Sequence, residues 1–166
     1  LTISADDFLA MRIARGAMDA DTLAAVTEAA GRYAALRAAI RMLGAGQCSR
    51  RRLYEKLRAR RITDADATFA VDTVYAKGYI DEDWQLRSYI RTLTAQKQYG
   101  PRKLYAALAA KGYRGDDIRR AMDENFGAEE IRAARRVFLE KKFGKTVPET
   151  RDEAAAMRQA LYKQGF

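Results

Sequence analysis

"QYGPRKLYAALAAKGY", residues 98–113, and "QCSRRRLYEKLRARRI", residues 47–62, are one segment written twice. An offset of 51 carries Leu53 onto Leu104, Tyr54 onto Tyr105, Leu57 onto Leu108, Arg51 onto Arg102 and Arg52 onto Lys103. Leucines four residues apart share one face of a helix, so both copies read as short amphipathic helices with a buried leucine stripe. Ser49 is a natural N-cap for the first copy. The second opens on Gly100-Pro101, where proline is well tolerated at the first helical position, and stops at Lys111-Gly112.

The apolar period is helical on both sides of these segments, prolines number two, and runs of Val, Ile and Thr are scarce. Leu23, Val26, Ala30, Tyr33, Leu36, Ile40 and Leu43 form a stripe that ends at Gly44 to Gly46. Thr63 and Asp66 read as a capping pair for a helix that Gly78 stops. Asp81, Glu82 and Asp83 load acid into the first turn of a helix carrying Leu86, Tyr89, Ile90 and Leu93, where the macrodipole favours it. Asp116 is expected to cap a helix with Ile118 and Met122. Gly127 precedes a basic helix with Ile131, Ala134, Phe138 and Leu139, and a last helix with Met157 and Leu161 follows Pro148 and stops at Gly165.

This punctuation recurs as helix, short Leu-containing helix, turn and third helix. The expected fold is all-α, with tandem three-helix repeats forming an elongated, curved helical array: repeat 1 over 32–80, repeat 2 over 81–126 and repeat 3 over 127–166. In the third, Met157, Leu161, Gly165 and Phe166 match Leu104, Leu108, Gly112 and Tyr113 at an offset of 53, and its third helix is expected to be absent or cut off. Units this short bury little alone and gain by stacking. Residues 1–31 are an acidic N-terminal segment: Ser4 is expected to cap a short helix through Ile13, and residues 1–3 are open to being a strand remnant.

Composition narrows the function. Lys and Arg number 31 against 22 Asp and Glu, a formal charge of +9, whereas residues 1–31 hold only Arg12 and Arg15 against five acids. The positive excess after Gly31 favours an anionic partner, nucleic acid or an acidic protein groove. With no His and one Cys, Cys48, there is no inventory for a zinc site or a His-based nucleophile pair, and no catalytic residue, metal ligand or cofactor is expected. Nothing resembles a signal peptide or a membrane-spanning run, and a single thiol suits a reducing cytoplasm, so the expected location is cytoplasmic. A start at Leu1 rather than Met reads as trimmed.

Arg50, Arg51, Arg52, Lys56, Arg58, Arg60 and Arg61 crowd seven cations into twelve residues with only Glu55 to relieve them. They read as a surface facing an anion rather than as a plain solvated face. Arg102 and Lys103 repeat the pattern more weakly, and Arg132, Arg135 and Arg136 add a third basic group. Tyr54 and Tyr105 flank the leucine stripes and suit either packing with the hydroxyl at the rim or stacking on a base or partner. The acid clusters at 81–83, 116–117 and 129–130 read as helix starts rather than Mg²⁺ ligands, because consecutive residues on a helix diverge. The basic amphipathic stretch at 132–145 favours a core role for Phe138, Leu139 and Phe143 over a membrane surface.

The ordered set "CSRRRLYEKLRARRI", "VYAKGYIDEDWQLRSYIR" and "QYGPRKLYAALAAKGY" resembles the RecX family, bacterial regulators of the RecA recombinase, from about Tyr33 to Phe166. The resemblance implies tandem three-helix repeats, no catalytic residues, and a regulator that binds RecA–DNA filaments along their groove and inhibits RecA in recombination and repair; a monomer is the expected state. It implies RecA and single- or double-stranded DNA as partners for the basic residues above. Gln85 departs from the pattern, since family members carry an aromatic near there and this chain has Trp84 beside it. The other reading is a basic DNA- or RNA-binding adaptor without RecA contact.

Overall fold

The computed structural model describes residues 1–13, 18–145 and 147–166. Every regular element among them is a helix: α1 (Ala5–Ala10), α2 (Ala20–Ala45), α3 (Arg50–Ala59), α4 (Asp64–Ala76), α5 (Glu82–Lys97), α6 (Pro101–Ala110), α7 (Gly115–Asn125), α8 (Ala128–Phe143) and α9 (Arg151–Gln164). The chain divides into two compact units, Leu1–Asp81 and Glu82–Phe166.

Local chemistry sets the helix boundaries. Asp19, Ser49 and Thr63 cap α2, α3 and α4 by accepting the backbone N–H of Thr22, Arg52 and Asp66. Thr150 and Glu153 form a reciprocal capping box at α9. Ser4 caps α1 as expected, but the helix ends at Ala10, short of Ile13, and residues 1–3 form no strand. Arg15 lies outside the described residues. Asp116 is not the cap of α7: Arg114 holds that position without a side-chain bond, and Asp116 and Asp117 sit in the first turn, where they favour the macrodipole.

In the first unit α2, α3 and α4 enclose a core of Ala35, Ala39, Met42, Leu53, Leu57, Ala67, Ala70, Val71, Val74 and Ile80. The α2 stripe differs from the expected one, since Leu23 and Ile40 are about half exposed and Ala35 and Ala39 are fully buried. The reason is the close approach of α2 to α4 through alanines: a Cβ on Gly31 would come within 2.8 Å of the Asp66 carboxylate. A pattern sought in large side chains misses a seam made of small ones.

The second unit repeats the scheme with larger residues. Leu86, Ile90, Leu93, Leu104, Leu108, Ile118 and Ala121 occupy the positions of Ala35, Ala39, Met42, Leu53, Leu57, Ala67 and Ala70. Gln85, the departure from the family pattern, is buried and accepts a hydrogen bond from the Tyr113 hydroxyl at 2.6 Å, while Trp84 is half exposed. A buried amide with a partner carries no desolvation penalty beyond what the bond returns.

The second helix of each repeat ends the same way. Arg61, Gly112 and Gly165 have φ of 62°, 88° and 96°. Ile62 N–H donates to the Leu57 carbonyl and Phe166 N–H to that of Leu161, the long bond of a Schellman turn. The turn brings Ile62, Tyr113 or Phe166 back onto the core. At Arg61 the left-handed conformation costs about 1–2 kcal/mol that glycine does not incur.

Leu57 and Leu108 are fully buried at equivalent positions. Leu57→Ala and Leu108→Ala are each expected to lower stability by about 2–5 kcal/mol in denaturant unfolding. A loss below about 1 kcal/mol at either site contradicts the equivalence of the two cores.

Candidate anion-facing surface

Ser49 fixes the start of α3 and Leu53 and Leu57 fix its buried face, so its cations are forced outward. They are not alike. Glu55 accepts Arg51 Nε at 3.1 Å and Arg52 Nη1 at 3.0 Å, and these two guanidiniums, Arg52 first, hold the Glu55 carboxyl below its ordinary pKa. Arg50 lies over the Tyr75 ring, 4.1 Å from its centroid. Arg58 donates to the Ile62 carbonyl at 2.6 Å, closing the end of its own helix. Lys56, Arg60 and Arg61 are exposed, and their side chains make no hydrogen bond or ion pair among the described residues. They form an unneutralised edge running to the helix end, with Lys56 and Arg60 one turn apart.

The second copy puts its cations to another use. Arg102 Nη2 donates to the Tyr162 carbonyl at 2.9 Å, and its guanidinium stacks 4.1 Å from the Tyr162 ring centroid. Lys103 Nζ donates to Gln164 Oε1 at 3.0 Å and sits 4.6 Å from the Tyr99 ring centroid. The α6 N-terminus has no side-chain cap; its amides at Gly100 and Arg102 donate instead to the carbonyls of Gln164 (2.9 Å) and Gly165 (3.1 Å) at the end of α9. Both glycines are required by this approach, since a Cβ on Gly100 would lie 2.4 Å from the Gly165 carbonyl carbon and one on Gly165 would lie 2.5 Å from Lys103 N. In this unit Arg102 and Lys103 fasten α9, a role that the sequence signalled only through Gly100 and Gly165.

The tyrosines are engaged in equivalent ways. The Tyr54 hydroxyl donates to Asp64, the first residue of α4, and this bond holds the phenol above its ordinary pKa. The Tyr105 hydroxyl packs against Gly115, the first residue of α7, where a Cβ would come within 2.7 Å of it. Each ring bridges the second and third helices of its repeat. Burial, countered by Lys56 and Arg52, pushes the Cys48 thiol up, so the thiolate is disfavoured there.

On α8, Arg132 pairs with Glu129, and Arg132, Arg135 and Arg136 line an open cleft of about 570 Å³ with Leu139, Glu140, Gly144 and Lys145. Arg135 and Arg136 are exposed without a hydrogen-bond or ion-pair partner among the described residues. Arg37 and Arg41, one turn apart on exposed positions of α2, add cations not singled out from the sequence; their i, i+4 spacing was the available signal. Among the described residues no cluster of ligating side chains fits a metal ion, and no helix is long and apolar enough to cross a membrane.

The fold and this surface define an all-α helical-repeat protein with basic exposed faces. No family model matches the chain. It is 25% identical over 167 residues to the regulatory protein RecX of Geobacillus thermodenitrificans, an alignment covering all of this chain and 62% of that protein. It is 34% identical over 102 residues to the regulatory protein RecX of Thermus thermophilus, covering 61% of this chain and 70% of that protein. The fold is shared with a crystal structure of regulatory protein RecX (TM-score 0.82, 19% identity, 99% of this chain and 81% of that one). It is shared also with that of RecX from Lactobacillus salivarius (TM-score 0.73, 18% identity, 83% and 90%). The chain belongs to the RecX family.

The contrast between the two copies is measurable. Arg102→Ala is expected to cost about 1 kcal/mol or more and to make α9 more susceptible to limited proteolysis, because it removes a charged hydrogen bond and a stacked ring. Arg51→Ala, at the equivalent position, is expected to change stability by less than about 0.5 kcal/mol. Equal effects contradict the division of roles.

Proposed function

We propose that this chain is a regulatory binding protein that inhibits a RecA-type recombinase by engaging its DNA filaments, acting in the cytoplasm, as a monomer and without catalysis. The observation that carries the reading is the unneutralised edge of α3, Lys56, Arg60 and Arg61, in a chain of the RecX family. Unpaired cations on a helix held rigid by Leu53 and Leu57 keep their charge for an outside anion, and displacement of counterions from that anion supplies the association energy. The chain spans 62% of the Geobacillus relative's length, so this activity is a proposal for the segment itself.

Lys56→Ala with Arg60→Ala is expected to weaken binding to single-stranded DNA without unfolding the protein, and to flatten log K against log[salt] by about 0.7 for each phosphate no longer neutralised. Arg51→Ala, whose charge is shared with Glu55, is expected to have a smaller effect. An unchanged slope in the double variant means that the edge is merely solvated.

The deciding measurement is RecA's DNA-dependent ATP hydrolysis on preformed filaments. Substoichiometric protein is expected to slow it, and the inhibition is expected to persist when single-stranded DNA is added in large excess over RecA. Full relief by excess DNA refutes filament binding and supports a DNA- or RNA-binding adaptor without RecA contact.

A further inference from the structure

The cations of α8 divide into those the helix uses and those it does not. Arg132 pairs with Glu129 at the helix start. Lys141 and Lys142 stand in the last turn, where the dipole favours a cation; Lys141 bonds the Gln98 side chain at 3.2 Å and Lys142 lies over the Phe138 and Phe143 rings. Arg135 and Arg136 sit in the middle of the helix, where the dipole gives a cation nothing. One turn from Arg135 in either direction stand Ile131 and Leu139, and three residues before it stands another cation, Arg132, a spacing that disfavours the helix. Arg136 has Glu140 one turn on, yet no ion pair joins them. Both guanidiniums are exposed, and their side chains make no hydrogen bond or ion pair among the described residues.

These two arginines do not face open water singly. They line one cleft of about 570 Å³ whose apolar lining residue is Leu139. At its far end Gly144, with φ of 75°, turns the chain as the helix stops, and the next residue, Lys145, is part of the same wall. The cleft therefore offers two unpaired guanidiniums and an ammonium around an aliphatic surface, with Glu140 as a single negative interruption. Arginine forks match carboxylates bidentately, and an apolar centre rimmed by such groups is the composition of a protein-binding patch.

We infer that the α8 cleft docks an acidic segment of a protein partner, with carboxylates on Arg135 and Arg136 and an apolar side chain on Leu139. The surface and the class of partner both differ from those of the α3 edge, so the inference holds or fails apart from it. A single nucleic-acid strand suits this cleft poorly. Its bases need an aromatic face to stack on, and the cleft lining has none; the ring next to it on the helix, Phe138, is engaged with Phe166 at 6.4 Å between centroids. A phosphodiester also brings a negative charge at every nucleotide and cannot skip Glu140, whereas a peptide can set a neutral or basic residue opposite it. Nor does a phosphate backbone carry anything to cover Leu139.

The test uses fluorescence anisotropy with three labelled probes: a peptide of three tandem copies of Glu-Asp-Leu-Lys, the same peptide with serine for leucine, and an oligothymidylate. The leucine peptide is expected to bind the original protein at least about threefold more tightly than the serine peptide, although their charges are equal. The double variant Arg135→Ala with Arg136→Ala is expected to bind the leucine peptide about tenfold more weakly and the oligothymidylate within about twofold of the original, with an unchanged melting temperature. A second variant, Arg135→Lys with Arg136→Lys, keeps the charge without the fork and is expected to lose about threefold for the peptide. No binding of the leucine peptide up to about 1 mM overturns the inference, as does equal binding of the two peptides. A loss of oligothymidylate affinity as large as the loss of peptide affinity overturns it as well, by assigning the cleft to nucleic acid. If the peptide results hold while the original protein fails to slow RecA's ATP hydrolysis, the inference stands and the filament reading falls. If the double variant loses the peptide yet still slows RecA, the inference stands and the docked partner is a protein other than the recombinase.

Discussion

The turn that closes the second helix of each repeat is the constraint on which the rest of the molecule depends. One residue of positive φ, at 61, 112 and 165, lets the chain reverse and lay the following side chain on the core. Without that reversal the second helix would run on, and the third would have no short route back to the first. The α9 copy of the turn also offers its carbonyls to the amides at the start of α6, so in the second unit it joins α9 to α6 as well. Backbone hydrogen bonds at that distance exclude a Cβ, which is why glycine appears on both sides of the joint.

A duplicated helix need not be a duplicated site. In α6 the cations at positions 102 and 103 are consumed by α9, through Tyr162 and Gln164, and fix tertiary structure. In α3 their counterparts share one glutamate at the surface, and the charge left without a partner lies further along, at Lys56, Arg60 and Arg61. Surface ion pairs contribute little to stability, whereas unpaired cations on a fixed helix act on whatever anion approaches. The functional potential of the segment therefore follows from what it is not packed against.

The two cores reach the same architecture with different residues. Alanine at 35, 39, 67 and 70 lets α2 and α4 approach closely, where leucine, isoleucine and alanine fill the equivalent positions between α5 and α7. Close packing with small residues and wider spacing with large ones both satisfy the requirement for a dense interior. A buried Gln85–Tyr113 hydrogen bond is accommodated in the second core because both partners are satisfied.

The sequence by itself determined the helical class, the helix boundaries to within a few residues and the repeat, because those rest on local physics: side-chain periodicity, caps such as Ser49 and Thr63, and glycine or proline at helix ends. It determined the basic character of α3 and the inventory that leaves no histidine for catalysis. It placed part of the buried face of α2, where Val26 and Ala30 are buried and Leu36 and Leu43 pack on the core, but it included the half-exposed Leu23 and Ile40 and missed Ala35 and Ala39, because alanine gives little hydrophobic signal and its burial depends on how near another helix comes. Only the tertiary structure decided which arginines are free, since a guanidinium at 51 or 102 looks the same until the groups around it are known. Only it decided that Tyr54 and Tyr105 bridge helices and that Gly100 meets Gly165, contacts between residues far apart in the chain that no local pattern encodes.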